Sequence, residues 1–180
     1  GCRDLLIAGV GHGHCLRHYA QRFPQLRIVS VDASARMLSE ARRRAAAAGL
    51  DMARLSFVQA TLPEWRPAAA SFDAIATPFF LDCFPPEELD AVIAALAHGA
   101  RPEARWLVSD FAVPEQGPAR WRALAVHGLM YPFFRAVTRL RARRLTPPDA
   151  GLRKHGFSLA GRRTYEWGLL RADLWMRHGT

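Results

Sequence analysis

The sequence predicts an α/β fold, a doubly wound and mostly parallel sheet with helices on both faces, and three observations predict it. The run Leu5-Leu6-Ile7-Ala8 is apolar without alternation, the pattern of a parallel strand covered on both sides, and glycines at 9, 11 and 13 follow it at once. Further strand-like runs then alternate with amphipathic helical stretches as far as Phe111, and parallel neighbours need right-handed crossovers of this kind. Finally, two strand-like stretches about Glu166-Trp167-Gly168 read as an antiparallel hairpin that closes the sheet.

In chain order, Leu16, Tyr19, Ala20 and Phe23 recur at helical spacing, one face of a first helix that Pro24 stops. Arg27 to Val31 is the second strand and ends in Asp32. Ser34 is placed to cap the next helix, whose Met37, Leu38, Ala41 and Ala45 face inward while Arg42 to Arg44 suit solvent and Gly49 suits the exit. Leu55 to Ala60 is the third strand, and Phe72 to Thr77 the fourth. Pro85-Pro86-Glu87-Glu88 opens a helix with prolines and acids in its first turn, where no N–H is needed and the dipole favours carboxylates. Leu89, Val92, Ile93 and Leu96 mark its buried face. Arg105 to Phe111 is the fifth strand. A long helical stretch over 118–144, kinked at Pro132, precedes a short helix near Asp149 to His155 and the hairpin Phe157 to Tyr165 and Leu169 to Met176.

At 180 residues the chain fits one domain, 1–180, and two would be crowded. Half the residues are hydrophobic, yet no apolar run approaches the ~20 residues of a membrane helix, and no signal peptide is evident. The formal charge of +9 points toward nucleic acid, an anionic membrane or an acidic substrate, but Lys154 is the only lysine, and much of the arginine fits the codon supply of a GC-rich genome. Cys2, Cys15 and Cys83 are odd in number and widely spaced, which supports neither a disulfide framework nor a zinc site; no metal is expected, and a reducing cytoplasm is the expected compartment. Only three residues precede the first strand, so an N-terminal segment is expected to be missing.

A glycine loop feeding a helix N-terminus offers bare N–H groups and a positive dipole end to a polar ligand. Its spacing here is G-x-G-x-G. The dinucleotide fingerprint G-x-G-x-x-G would need a glycine at position 14, where His14 stands. Asp32 comes nineteen residues after Gly13 at a strand tip, where a carboxylate can accept both hydroxyls of a ribose; capping the following helix is its alternative use. With these motifs in this order, the chain from Leu5 to about Met176 resembles the class I S-adenosylmethionine-dependent methyltransferases. The resemblance implies a seven-stranded sheet in the order 3-2-1-4-5-7-6, S-adenosylmethionine as cofactor, S-adenosylhomocysteine as product, and N-terminal cap helices that this sequence lacks. One departure is clear: Ile7 stands where the family usually carries an acid that anchors the methionine end.

Ligands of open doubly wound sheets sit at the carboxyl ends of the strands. The resemblance places Gly9, Val10, Gly11, His12 and Gly13 at the methionine moiety, Asp32 at the ribose, Ala33 and Met37 beside the adenosine, and Gln59, Ala60 and Thr61 at the adenine. Gln59 would replace the family's usual acid there, or it is simply a strand-end residue in solvent. Thr77, Pro78 and Phe79 close the fourth strand, where sulfonium and acceptor meet. Enzymes that methylate base amines usually carry Asn or Asp before Pro-Pro and an aromatic, and Thr77-Pro78-Phe79-Phe80 lacks that polarising side chain. Cys83 lacks the Pro-Cys context of a cytosine-C5 nucleophile and reads as core. Methyl transfer needs alignment in a water-poor pocket more than a base. Should one act, Asp82, His127 and Tyr131 are the candidates, beside the loop histidines His12 and His14.

The stretch 118–144 carries Trp121, Leu124, Leu129 and Phe133 at helical spacing, with Arg135, Arg139, Arg141, Arg143 and Arg144 late. The span 118–155 is expected to be a helical insertion or lid whose aromatics favour a flat, lipophilic acceptor, although a basic amphipathic helix can also touch a membrane peripherally. The function predicted is an S-adenosylmethionine-dependent methyltransferase acting on a small, largely apolar molecule. Two readings compete with it: an RNA methyltransferase, drawing on the +9 charge, and a non-catalytic methyltransferase-like module that docks on membrane or protein. Nucleic acid ranks behind a small molecule as partner, and a nicotinamide oxidoreductase is further off.

Overall fold

The computed structural model describes residues 1–112, 121 and 146–179. Seven strands, β1 (Asp4–Ala8), β2 (Arg27–Asp32), β3 (Leu55–Gln59), β4 (Phe72–Pro78), β5 (Ala100–Phe111), β6 (Phe157–Tyr165) and β7 (Leu170–Arg177), form one sheet in the order β3-β2-β1-β4-β5-β7-β6. The first five are parallel, and β7 pairs antiparallel with both β5 and β6. Helices α1 (His14–Arg22), α2 (Ala35–Ala47), α3 (Pro86–His98) and α4 (Asp149–Lys154) accompany it. No described helix is long and apolar enough to cross a membrane.

The unbroken apolar run of β1 has the expected cause. Leu5 and Ile7 join a cluster with Leu16, Ala20, Leu38 and Ala41 of α1 and α2. Leu6 and Ala8 face the other way, into a cluster with Val92, Ile93 and Leu96 of α3, Leu152 of α4, and the fully buried Trp106 and Trp175. Alternate side chains of a strand point to opposite faces, so a strand covered twice has no polar positions to alternate. Helix α2 is capped as its sequence predicts, with Ser34 Oγ accepting from the Met37 N–H at 3.3 Å. Phe23 departs from expectation. It follows the end of α1 and is 38% exposed instead of packing with Leu16 and Ala20.

Strand β5 begins at Ala100 rather than Arg105, because Ala100 already pairs with Phe72 across an irregularity in the ladder. Arg101, Pro102 and Glu103, the last with φ +62°, hid that extension behind charge and a turn-like signature. The extension has a purpose. Arg101 Nη1 reaches Asp4 Oδ2 at 3.0 Å and Asp73 Oδ1 at 2.8 Å, while Arg27 bonds Asp4 through Nε and Nη2 at 2.7 and 2.8 Å. Asp73 also accepts from the N–H groups of Arg3 and Asp4. Burial alone would raise the Asp73 carboxyl, but these hydrogen bonds, that of Arg101 foremost, outweigh it and bring it down to about 2. This ion cluster ties β1, β2, β4 and β5 at their amino ends, leaving the carboxyl ends open for a ligand. Apart from Trp121, the helical stretch expected over 118–144, with its arginines and with His127 and Tyr131, lies outside the described residues.

Candidate active site

At the carboxyl ends of β1, β2 and β4 lies a cleft of about 730 Å³. Its lining includes Gly9, Val10, Gly11, His12, His14, Asp32, Ala33, Met37, Pro78 and Phe79 of the residues that the sequence singled out; it adds Cys15 and Phe80, and it brings Cys83, expected in the core, to the cleft wall. The chain turns from β1 into α1 through Gly9, Gly11 and Gly13, with φ of 77°, 49° and 79°. The turn is held by the Gly9 N–H on Val31 O and the Gly13 N–H on Val10 O, each 2.9 Å. A Cβ on Gly9 would fall 2.4 Å from the Phe80 ring, and one on Gly13 would fall 2.9 Å from the Cα of Ala41. Gly11 differs, because nothing lies within 4 Å of its missing Cβ: the space belongs to the cleft.

Asp32 stands across from this loop. Its Oδ1 accepts from the Ser34 N–H at 2.8 Å, and Oδ2 lies 3.4 Å from the Gly11 N–H. The carboxyl therefore holds the approach to α2 through Ser34 and borders the cleft. Gln59 pairs with Asp32 in the β2–β3 ladder and Ala60 donates its N–H to Asp32 O at 3.1 Å, but Gln59, Ala60 and Thr61 do not line the cleft. Gly13 is buried behind the loop against α2. Thr77 is fully buried as well, and its hydroxyl accepts from Trp106 Nε1 at 3.1 Å, so its side chain serves the core. Ile7 is 0% exposed and offers nothing to a ligand.

Asp82 follows β4 in a single 3₁₀ turn, Leu81–Cys83, and is 8% exposed. Burial pushes its carboxyl up to about 6, against a weak thiol hydrogen bond from Cys83 Sγ at 3.6 Å. Asp110 near the end of β5 is 1% exposed, and its carboxyl is raised well above the usual range by burial and then by the charge of Asp82. The Cys83 thiol is raised too, by burial and by Asp82, so it stays a protonated thiol at the cleft wall and is no nucleophile. The acid pair was only half visible in the sequence: Asp82 was a candidate base, whereas Asp110 looked like one more polar residue ending a strand. A strand position whose neighbours on its face, Trp106 and Val108, are both fully buried was the available signal.

The sequence matches a family model described as a methyltransferase domain over residues 5–103. The chain belongs to this methyltransferase family. Its fold is that of the class I S-adenosylmethionine-dependent enzymes, and S-adenosylmethionine is the cofactor that the family implies. An O-methyltransferase family protein from Burkholderia thailandensis superposes with a TM-score of 0.76 at 20% identity, covering 99% of this chain and 52% of the other. The apo form of the S-adenosylmethionine-dependent methyltransferase SibL gives 0.75 at 22%, covering 98% and 51%, and the mitomycin 7-O-methyltransferase MmcR gives 0.73 at 19%, covering 98% and 49%. At these identities the likeness is one of fold, and the chain spans about half the length of these structures. No curated protein matches it by sequence.

Proposed function

We propose that this methyltransferase chain binds S-adenosylmethionine in the glycine-loop cleft and transfers its methyl group to a small, largely apolar acceptor. The observation that carries the reading is the Asp32 carboxylate held at the cleft opposite Gly11, where open space replaces a side chain. That arrangement fits a nucleoside, with Asp32 toward the ribose hydroxyls and Ala33 and Met37 beside the base. The loop N–H groups, with His12 and His14 on the cleft wall, are left to hold the amino-acid end, because the buried Ile7 cannot. When bound, the cofactor supplies a methyl group already activated by its sulfonium. The chain's own part is to align and to exclude water: Pro78, Phe79 and Phe80 give the cleft an apolar wall, and Phe79 remains 48% exposed beside it. The small-molecule O-methyltransferases among the structural neighbours support an acceptor of that size.

Calorimetric titration with S-adenosylhomocysteine tests this reading. The chain should bind it, and Asp32→Ala should weaken binding by about 10-fold to 100-fold, the worth of a charge-assisted hydrogen bond. No binding at millimolar concentration would sink the proposal.

A further inference from the structure

Resting on that reading, we propose that Phe79 is the residue by which the cleft distinguishes S-adenosylmethionine, with its sulfonium charge, from the neutral thioether S-adenosylhomocysteine, the face of its ring taking the cation. Phe79 follows Pro78 at the carboxyl end of β4 and lines the glycine-loop cleft. Its backbone is left-handed, with φ 50°, a conformation that a bulky side chain rarely adopts. The residue is nonetheless 48% exposed, so deep burial of the ring does not offset that strain. Its neighbour Phe80 shows the ordinary alternative. That ring packs edge-on against Phe84 at 5.0 Å and occupies the space where a Cβ on Gly9 would fall. Phe80 thus serves the packing, and Phe79 is displayed to a ligand.

Strand β5 holds Phe79 in that position. The Phe79 N–H donates to Ser109 O at 2.6 Å, and the ring packs against Phe111 of the same strand, with centroids 5.3 Å apart and planes tilted by 56°. A ring fixed in this way loses little freedom when a ligand meets it.

The charge around the ring says what kind of ligand it suits. The chain carries 25 lysines and arginines against 16 acids, yet none of those cations is among the described residues that line the cleft, where Asp32 is the one carboxylate. Arg44 reaches His14 on the cleft wall at 3.0 Å, but its Nε is paired with Glu40 at 2.6 Å. A cleft cleared of cations in so basic a chain suits a ligand that is itself positive. Asp32 is already engaged by the Ser34 N–H and faces the glycine loop, on the side assigned to the ribose. The aromatic wall at the end of β4 is then left for the sulfonium. An aromatic face attracts a cation through its quadrupole, whereas a neutral sulfide gains only the weaker sulfur–aromatic contact. Phe79 therefore selects the loaded cofactor against the spent product.

Calorimetric titration with three ligands tests the assignment: S-adenosylmethionine, S-adenosylhomocysteine, and sinefungin, which carries an ammonium group where the sulfonium stands. Phe79→Leu keeps an apolar side chain on the same backbone. It should lower the affinities for S-adenosylmethionine and sinefungin by about fivefold to thirtyfold relative to that for S-adenosylhomocysteine. Phe79→Tyr retains the ring and should leave both ratios within about twofold of the wild type. In the wild type, where no substitution can disturb folding, S-adenosylmethionine should shift the Phe79 ring resonances. An equal fall for all three ligands, ratios unchanged in Phe79→Leu, a loss for S-adenosylmethionine that sinefungin does not share, or unmoved Phe79 signals would each overturn the proposal. Failure of the wild type to bind S-adenosylhomocysteine would instead strike the cofactor reading.

Discussion

Replacing Asp82 by Asn should make the protein more stable in mildly alkaline solution, an uncommon result for removing a buried acid. The Asp82 carboxyl is raised from its ordinary 3.8 to about 6 by burial, which outweighs a thiol hydrogen bond from Cys83 and a backbone hydrogen bond. A shift of about two units corresponds to about 3 kcal/mol between the protonation states. The sign follows from which form the fold prefers. Since the folded carboxyl holds its proton more tightly than the unfolded one, stability is full below about pH 4 and is lost as the pH rises through 6. Asn has nearly the same shape and never ionises. Any cost of burying its amide is the same at every pH, so the informative quantity is the slope. Urea unfolding between pH 4.5 and 8 should show the wild type losing about 2 kcal/mol relative to the variant, the remainder of the shift lying below pH 4.5. Asp110 should titrate at lower pH in the variant, because the charge of Asp82 is one cause of its elevation. Parallel stability curves, or a variant that falls faster than the wild type, would refute the reasoning.

The glycine loop permits a paired comparison. Gly9→Ala drives a methyl into the Phe80 ring on a left-handed backbone and should cost about 2–5 kcal/mol of stability, while Gly11→Ala, with open space around it, should cost about 1–2 kcal/mol and chiefly impair S-adenosylhomocysteine binding; thermal melts and calorimetry separate the two. Thr77→Val removes the acceptor for the buried Trp106 N–H and should destabilise by about 1–3 kcal/mol in denaturant titrations. Arg101→Met should lower stability near neutrality, and the deficit in denaturant titrations should shrink as the pH falls through about 2, where Asp73 takes up its proton and the depressed carboxyl no longer favours the fold.

The sheet was legible in the sequence because each strand declares which faces it buries. Leu5 to Ala8 had no polar position, and the structure puts two helical layers over them. The glycine loop, Asp32 and the Pro78-Phe79 wall were legible for a similar reason, since backbone bends and strand tips restrict which residues serve. Side-chain direction was harder. Thr77 and Pro78 are neighbours, yet Thr77 turns into the core toward Trp106 while Pro78 faces the cleft, a parity that depends on where β4 ends. Pairings between distant segments left no local trace either. Arg101 meets Asp4 across the sheet, and Asp110 meets Arg171 only because β7 inserts between β5 and β6.

The seam between Gly13 and Ala41 has a mechanical consequence. At that point the backbone behind the ligand loop rests directly on α2, the helix that starts just after Asp32. Loop and carboxylate therefore form one stiff corner, and neither can drift without the other. An alanine behind the cleft thus sets the span between the glycine loop and the Asp32 carboxylate.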